Sequence, residues 1–194
     1  MSTHLFGTAR LLRRQALVIG AAGFIAGFSI SLAAEDTVWH IKAIHPEGRL
    51  LDVKAIDKSG KIHPIKAFQS PGNNHILDIK ALVDDKKVAV KVLVKGPGDA
   101  FAPVKAIADG GAVIDIKALT ADGVKLDVKG VSTAGGVTAI KAVAPDGAFY
   151  GIKAISPEGR VFDVKGIKMN KEEVEGKVNG VDFAAHVKAI PQSN

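Results

Sequence analysis

The sequence contains no cysteine and few aromatic residues. Aromatic side chains make up 5% of the 194 residues, with one Trp and one Tyr. Without cysteine there is no disulfide framework, so burial and hydrogen bonding must hold the fold together. Three of the charges behind the formal net charge of +6 are Arg10, Arg13 and Arg14 at the N-terminus. So mild a positive charge with so few stacking side chains predicts that the protein binds no nucleic acid.

Catalytic, metal-binding and nucleotide-binding motifs are also missing. No serine lies in a G-x-S-x-G nucleophile elbow. The glycine pairs Gly110-Gly111 and Gly135-Gly136 lie between strand patterns rather than between a strand and a helix, so they are not phosphate-binding loops. We therefore expect no cofactor and a protein that is not an enzyme. An envelope enzyme with a site at the mouth of a barrel is the alternative.

The N-terminal segment has the pattern of an export signal. Residues 1–15 carry three arginines and no acid, and residues 16–34 carry no charge. Small residues at Ser31, Ala33 and Ala34 form a signal-peptidase pattern immediately before the acidic pair Glu35-Asp36. The sequence thus predicts an export signal over residues 1–34 and a single mature domain over residues 35–194.

The arginine pair Arg13-Arg14, followed by a moderately apolar run, favours a twin-arginine signal, with the general secretory route as the alternative. An uncleaved membrane anchor is the second interpretation, because the run is long enough to span a bilayer. With either signal, we expect the protein in the periplasm or outside the cell.

Beyond the leader, a twelve-residue repeat with a lysine at its centre fills the chain. Self-similarity at a fixed period is typical of a modular array. The repeated lysines are Lys42, Lys54, Lys66, Lys80, Lys91, Lys105, Lys117, Lys129, Lys141, Lys153, Lys165 and Lys188.

Each repeat combines an alternating apolar segment with a turn cluster. The segment Leu51–Ile56 alternates and contains β-branched residues, which is typical of a strand, and Pro46-Glu47-Gly48 is typical of a turn. Pro and Gly at this spacing exclude a sustained helical period. The pattern predicts an all-β domain, an antiparallel meander of about 11–13 short strands.

The turn length predicts which residues face each other. A three-residue loop at Pro46-Glu47-Gly48 places Lys42 opposite Asp52. The same construction predicts further pairs of lysine and aspartate: Lys153–Asp163, Lys66–Asp78, Lys117–Asp127, Asp52–Lys66 and Asp115–Lys129. All lysines then lie on one face of the sheet, since the side-chain period of a strand is two residues.

The opposite face of the sheet is aliphatic and has to be buried. It carries Ile41, Ala43, Leu51, Val53, Ala55, Ile65 and Ala67. Burying it requires the sheet to curl into a barrel or fold into a sandwich, and a β-solenoid is the alternative. Strand segments of about seven residues are shorter than the roughly 9–11 residues that span a membrane, so we expect no transmembrane barrel.

Two weak candidate sites follow from this arrangement. His40 and His186 lie on the first and last strands and become neighbours if the sheet closes end to end, which predicts a two-histidine metal site. Three lysines lack an opposed acid and are candidates to bind a ligand carboxylate or phosphate: Lys54 faces Pro64, and Lys141 and Lys165 both face Gly151.

The sequence therefore favours an exported, non-catalytic structural or ligand-binding module of the cell envelope. The sequence leaves the partner unknown; the lysine row makes an anionic polymer or another envelope component a candidate, although the interleaved aspartates largely neutralise the row. The alternative is an extracellular assembly subunit that polymerises through its sheet edges, so both a monomer and a self-assembling protein are consistent with the pattern.

Overall fold

The computed structural model describes residues 35–168 and 176–192, and the predicted leader lies outside them. The described chain is all-β, apart from one 3₁₀ turn at Asp109–Gly111. Its strands are β1 (Thr37–Ile44), β2 (Leu50–Ile56), β3 (Ile62–Gln69), β4 (Leu77–Val83), β5 (Lys86–Leu93), β6 (Ala102–Ile107), β7 (Val113–Leu119), β8 (Lys125–Ala134), β9 (Val137–Val143), β10 (Phe149–Ile155), β11 (Val161–Ile167), β12 (Gly176–Val178) and β13 (Val181–Pro191). Twelve of them contain one repeat lysine each, and β12 is an extra strand.

The alternation of each repeat matches its burial. On β1, Ile41 and Ala43 are buried while Lys42 between them points outward and is half-buried. The residues immediately before and after the lysine are buried in almost every repeat. The predicted aliphatic face is thus the inner face of the molecule, and the lysines lie on the outer face.

The turns have the predicted chemistry. The amide of Gly48 donates to the His45 carbonyl at 2.8 Å, and Gly48 adopts φ = +82°, which glycine reaches without steric cost. The Asn179-Gly180 turn between β12 and β13 has positive φ at both residues, as a two-residue hairpin requires.

The predicted antiparallel meander and its closure are both confirmed. Each repeat strand pairs with the next repeat strand along the chain. Further pairings join strands that are distant in sequence, such as β1 with β10 and β2 with β7. The result is a closed twelve-stranded antiparallel barrel plus the extra strand β12.

The closure is polyhedral, because each repeat strand pairs with three other repeat strands. Four groups of three strands, here called triangles, pair mutually within the group. Triangle I contains β1, β2 and β3; triangle II contains β4, β5 and β13; triangle III contains β6, β7 and β8; triangle IV contains β9, β10 and β11.

One further strand pair joins every two triangles, which gives the connectivity of a tetrahedron. At the middle of each joining pair, two repeat lysines stand opposite each other. The pairs are Lys42–Lys153, Lys54–Lys117, Lys66–Lys80, Lys91–Lys105, Lys129–Lys141 and Lys165–Lys188. The four triangles correspond to the vertices, and the six joining pairs correspond to the edges.

The centre of the core is built from one β-branched residue per repeat, the residue before each lysine. These twelve side chains line a residual space of about 10 Å³, which is at the limit of what one water needs. They are Ile41, Val53, Ile65, Ile79, Val90, Val104, Ile116, Val128, Ile140, Ile152, Val164 and Val187. The stiff χ1 of β-branched residues suits this convergence.

Two parts of the predicted register need correction. Lys66 faces Lys80 rather than Asp78, because residues 70–76 form a longer connection than the predicted three-residue loop. Asp52–Lys66 and Asp115–Lys129 do not form, because hairpin partners separate beyond the lysine and pair with other strands. The pairs Lys42–Asp52, Lys117–Asp127 and Lys153–Asp163 are confirmed.

Within the described residues, no helix has the length and apolar character to cross a bilayer.

Candidate functional site

The outer surface of each triangle carries a cluster of three repeat lysines. The position two residues before each lysine, here called the slot, lies beside them. In triangle I, Asp52 occupies the slot of β2 and contacts both Lys42 and Lys54, the latter at 3.4 Å. The hydrogen bond from Lys42 holds the pKa of Asp52 below its ordinary value. The predicted row of lysines is therefore divided into four clusters.

The same contact forms at every slot that holds an aspartate or a histidine. The side chain in the slot accepts a hydrogen bond from the repeat lysine of an adjacent strand in the same triangle. The pairs are Asp52–Lys42, Asp115–Lys105, Asp127–Lys117, Asp163–Lys153, Asp78–Lys188, His40–Lys66 and His186–Lys91. Partial burial raises the pKa of Asp163, but the hydrogen bond from Lys153 and the charges of Lys153 and Lys165 together outweigh burial and leave that pKa below its ordinary value.

The three lysines predicted to bind a ligand have different surroundings. Lys54 faces Pro64 as predicted, but its ammonium also lies 3.4 Å from Asp52. Lys165 faces Ala139 and Lys188 rather than Gly151, and it lies 3.5 Å from Asp163.

Lys141 faces Gly151 as predicted. It has no carboxylate within 4.0 Å among the described residues. Lys141 and Lys165 both belong to triangle IV, while Lys54 belongs to triangle I.

The structure does not bring the two candidate metal ligands together. His40 lies on β1, which pairs with β2, β3 and β10, and its Nδ1 is 3.0 Å from the ammonium of Lys66. His186 lies on β13, and its Nδ1 is 2.6 Å from Lys91. The end-to-end closure that would join them is wrong, because β1 pairs with β2, β3 and β10, whereas β13 pairs with β4, β5, β11 and β12. Among residues 35–168 and 176–192, no cluster of three His, Asp or Glu side chains could hold a metal.

Burial lowers the pKa of both members of the Lys91–His186 pair. Desolvation, with the nearby charges of Lys80 and Lys188, lowers the pKa of Lys91 to about 8. Desolvation and the charge of Lys91 lower the pKa of His186 to about 4. The amine of Lys91 also lies 4.4 Å above the ring of Phe183. This pair is a part-buried polar contact in which the His186 imidazole is neutral at pH 7.

A depression in the surface lies where the turns of three triangles meet. Residues 45–49, 120–124 and 144–148 converge around a cleft of about 470 Å³, here called the open face. Its apolar floor consists of Leu51, Leu126, Ala144 and Tyr150. Each of Leu51, Leu126 and Tyr150 lies three residues before a repeat lysine.

Polar side chains stand around this apolar floor. The ring of His45 packs edge-on against Tyr150, with centroids 4.8 Å apart, and its Nε2 is 3.2 Å from Arg49. Arg49 pairs with Glu47 at 3.0 Å. The Thr120 hydroxyl, and more weakly the charge of Arg49, lower the pKa of Asp122. A cation, an anion and an apolar floor together suit an amphipathic small molecule.

A second depression, of about 430 Å³, adjoins the cleft. It shares Leu126, Ala144 and Pro145 with the open face and is bounded by Phe101 and Lys129. The ring of Phe101 meets that of Phe149 at 5.5 Å. The two depressions thus provide room for a ligand longer than the cleft itself.

The other three faces of the tetrahedron are filled. His63, 3% exposed, is bonded to Asp57 at 3.0 Å in one face. In another, Trp39 packs on Phe162 at 4.7 Å between centroids, with Arg160 above its ring.

Val92 fills the last face, where Gly130 and Gly166 leave it space. This face is here called the Val92 face.

The sequence does not predict the cleft, because its three turns come from repeats far apart in the chain. The available signal was the single Tyr of the chain, Tyr150, in a position that is usually aliphatic. Which other turns would meet it depends on the pairing of β1 with β10 and of β2 with β7, which no local pattern specifies.

Comparisons with curated proteins and with solved structures find no match to this chain. A family model matches residues 35–190, which includes all thirteen strands except the last residue of β13. The chain therefore belongs to DUF7486, a family of unknown function.

Proposed function

We propose that this protein is an exported, non-catalytic ligand-binding module of the cell envelope, with its binding site in the cleft of the open face. The observation that carries the proposal is the cleft itself, since it combines an apolar floor with Arg49 and Asp122 at its rim. Concave apolar sites with a few convergent polar groups are the usual form of small-molecule sites.

Closure of the sheet favours a binding module over an assembly subunit. The first strand, β1, is paired along both edges, with β10 on one side and with β2 and β3 on the other. The last strand, β13, is likewise paired on both sides. In the described part of the chain, polymerisation through the first and last strands has no free repeat edge to use.

The chemistry of the cleft favours binding over catalysis. The backbone amide of Glu47 and the guanidinium of Arg49 lie 3.2 Å from the two ring nitrogens of His45. Both neighbours are donors and a neutral imidazole has one acceptor nitrogen, so His45 accepts from one of them, and that nitrogen is then not free to act as a general base. Binding requires only that the apolar floor remain accessible.

Export rests on the arginine-rich and then uncharged N-terminal segment, and the family match begins where the predicted leader ends. The test is mass spectrometry of the N-terminus after expression in a bacterium and fractionation of the culture. We expect a chain that starts at Glu35 in the periplasm or medium. A full-length chain retained in the cytoplasm would contradict the proposal.

Binding is tested with the fluorescent amphipathic anion 1-anilinonaphthalene-8-sulfonate. We expect saturable, equimolar binding to the wild type and its loss in Ala121→Trp, because Ala121 lines the cleft and a Trp would fill it. Lys58→Trp is the matched control, since Lys58 occupies the equivalent turn position on the face filled by His63. Thermal unfolding of each variant verifies the fold. Equal binding by both variants would place the probe outside the cleft and contradict the proposal.

A further inference from the structure

The lysine cluster of triangle IV lacks two of the three acceptors that the fold has room for. Its slots hold Asp163, Gly151 and Ala139. Asp163 binds Lys153 and lies 3.5 Å from Lys165, so it bridges two lysines. The other two slots have no side-chain acceptor at all.

Lys141 is the lysine that both missing acceptors would serve. An acceptor at Gly151 would stand between Lys141 and Lys153, since Gly151 pairs directly with Lys141. An acceptor at Ala139 would stand between Lys141 and Lys165, since Ala139 pairs with Lys165. Among the twelve repeat lysines of the described chain, Lys141 alone has no acceptor in its own slot or in the slot that faces it.

Triangle III shows what fills the same positions elsewhere. There Asp115 binds Lys105 and Asp127 binds Lys117, while Lys129 lies 3.5 Å from Asp127. Two carboxylates thus serve three ammonium groups in triangle III, whereas a single carboxylate serves three in triangle IV. Triangles I and II also hold one carboxylate each, but there a histidine accepts from a further lysine, whereas the described residues give Lys141 of triangle IV no side-chain acceptor.

There is also space for an anion at this point. A Cβ built on Gly151 would lie 3.7 Å from the Lys141 ammonium and 3.9 Å from Cε of Lys153, with nothing nearer. A carboxylate oxygen or an oxygen of a bound anion can therefore approach both lysines from above Gly151. Lys141 itself is half-buried, which strengthens its interaction with a bound charge.

We propose that the outer surface of triangle IV binds a phosphate or sulfate group between Lys141, Lys153 and Lys165. The tetrahedral dianion supplies the acceptors that Gly151 and Ala139 lack, and three charge-assisted hydrogen bonds hold it. The group is either a free ion or part of an anionic polymer. This site is separate from the cleft of the open face and does not rest on the function proposed for it.

The decisive variant is Gly151→Asp, which builds the missing carboxylate into the protein. Isothermal titration calorimetry with inorganic phosphate and with sulfate, in low-salt chloride buffer, should show one saturable site in the wild-type protein. We expect Gly151→Asp and Lys141→Gln each to lower the affinity by at least about tenfold, the effect of one lost charge-assisted bond.

Ala89→Asp is the matched control. It adds the same charge to an empty slot of triangle II and should leave the affinity for phosphate unchanged. The thermal midpoint of Gly151→Asp should be equal to or above that of the wild type, so lost binding is not lost folding. Phosphate binding that survives in Gly151→Asp, or that Ala89→Asp weakens equally, would overturn the proposal. So would the absence of saturable binding to the wild type.

A second titration, with dextran sulfate, distinguishes the two sources of the anion. Polymer binding that Gly151→Asp abolishes together with binding of the free ion assigns the site to a polymer-borne group. Binding of the free ion alone assigns it to small anions. Polymer binding that persists in Gly151→Asp, without saturable binding of the free ion, would overturn the proposal.

Discussion

The open face and the Val92 face are built from the same repeat, but they place their large and small side chains at opposite positions of that repeat. On the open face, the residues after the lysines are small, Ala43, Ala118 and Ala142. The residues three before the lysines are large there, namely Leu51, Leu126 and Tyr150.

The Val92 face reverses this order. The residues after the lysines are Val92, Gly130 and Gly166, and the residues three before are the small Ala102, Thr138 and Ala185. We call the residue after the lysine the inner position and the residue three before the lysine the outer position. The reversal shows that the inner and outer side chains of a face share a fixed volume. A repeat can exchange volume between them, but a side chain added to one position must be removed from another.

The largest expected effect comes from giving the Val92 face the inner residues of the open face. A Cβ at Gly166 would lie 2.7 Å from Val92, and one at Gly130 would lie 2.8 Å from Thr138 and 3.3 Å from Val92. The double variant Gly130→Ala/Gly166→Ala should lose about 2–6 kcal/mol of unfolding free energy, each overpacked site contributing about 1–3 kcal/mol. Urea denaturation measures the loss.

The same two substitutions made together with Val92→Ala should be far better tolerated, because the triple variant has the three alanines of the open face. We expect a favourable coupling of at least about 1 kcal/mol between Val92→Ala and the two glycine substitutions. If the free-energy effects of the three substitutions simply add, the exchange of volume between Val92 and the two glycines is contradicted.

The reverse exchange on the open face should have a smaller effect. Ala118→Val adds the side chain found at Val92, but its partners Ala43 and Ala142 are not glycines. We expect a loss of about 1–3 kcal/mol, measured by the same denaturation experiment. A neutral result would mean that the inner position of the open face has spare volume, and would contradict the volume exchange.

The main rise of stability with pH in the alkaline range should come from Lys91, which precedes Val92 on the Val92 face. Between pH 8 and 10.5 the unfolded chain binds a proton that the folded chain has released from Lys91, since its pKa falls to about 8. The unfolding free energy therefore rises with pH in this window. The charged groups around Lys91 are Lys80, Lys188, Asp78 and the directly opposed Lys105, with His186 as its hydrogen-bond partner.

Lys91→Met should remove this rise and should be more stable than the wild type at pH 7. Lys105→Met is the control, because Lys105 faces Lys91 but is paired with Asp115, and its loss should not stabilise the fold. Chemical denaturation at pH 7, 8, 9 and 10 tests both variants. An unchanged slope in Lys91→Met would show that Lys91 titrates normally.

The smallest expected effect lies at the outer surface, beside the open face. Asp127 contacts Lys117 and Lys129 but is about half exposed, at 46%. Asp127→Asn should cost about 0.2–1 kcal/mol, and less at high salt. A loss above about 2 kcal/mol that is independent of salt would mean that the lysine clusters hold the fold, contrary to the dominance of the core.

Local features of the fold were predictable from the sequence, and distant pairings were not. The Pro-Glu-Gly and Ala-Asp-Gly turns set the register near each turn, which is why Lys42–Asp52 and Lys117–Asp127 were predicted correctly. Beyond the lysine, each strand leaves its hairpin partner for a strand of another triangle. The repeats are too similar for any local pattern to specify which strand that is.

One trace of the three-dimensional arrangement is nevertheless visible in the sequence. Nine of the twelve repeats place alanine after the lysine, and the exceptions are Val92, Gly130 and Gly166. These exceptions meet in one face. One large residue together with two small ones suggests that three distant repeats are in contact. The strand pairing in the structure is needed to show that these residues touch.

The central claim is that the twelve repeats close on themselves within one chain, and light scattering coupled to size exclusion tests it most directly. Residues 34–194 form one compact unit, so residues 35–194 are measured across about a hundredfold range of concentration. The account predicts the mass of a monomer at every dilution, because each repeat strand is paired along both edges. A mass that climbs with concentration would show open edges and contradict the closed fold.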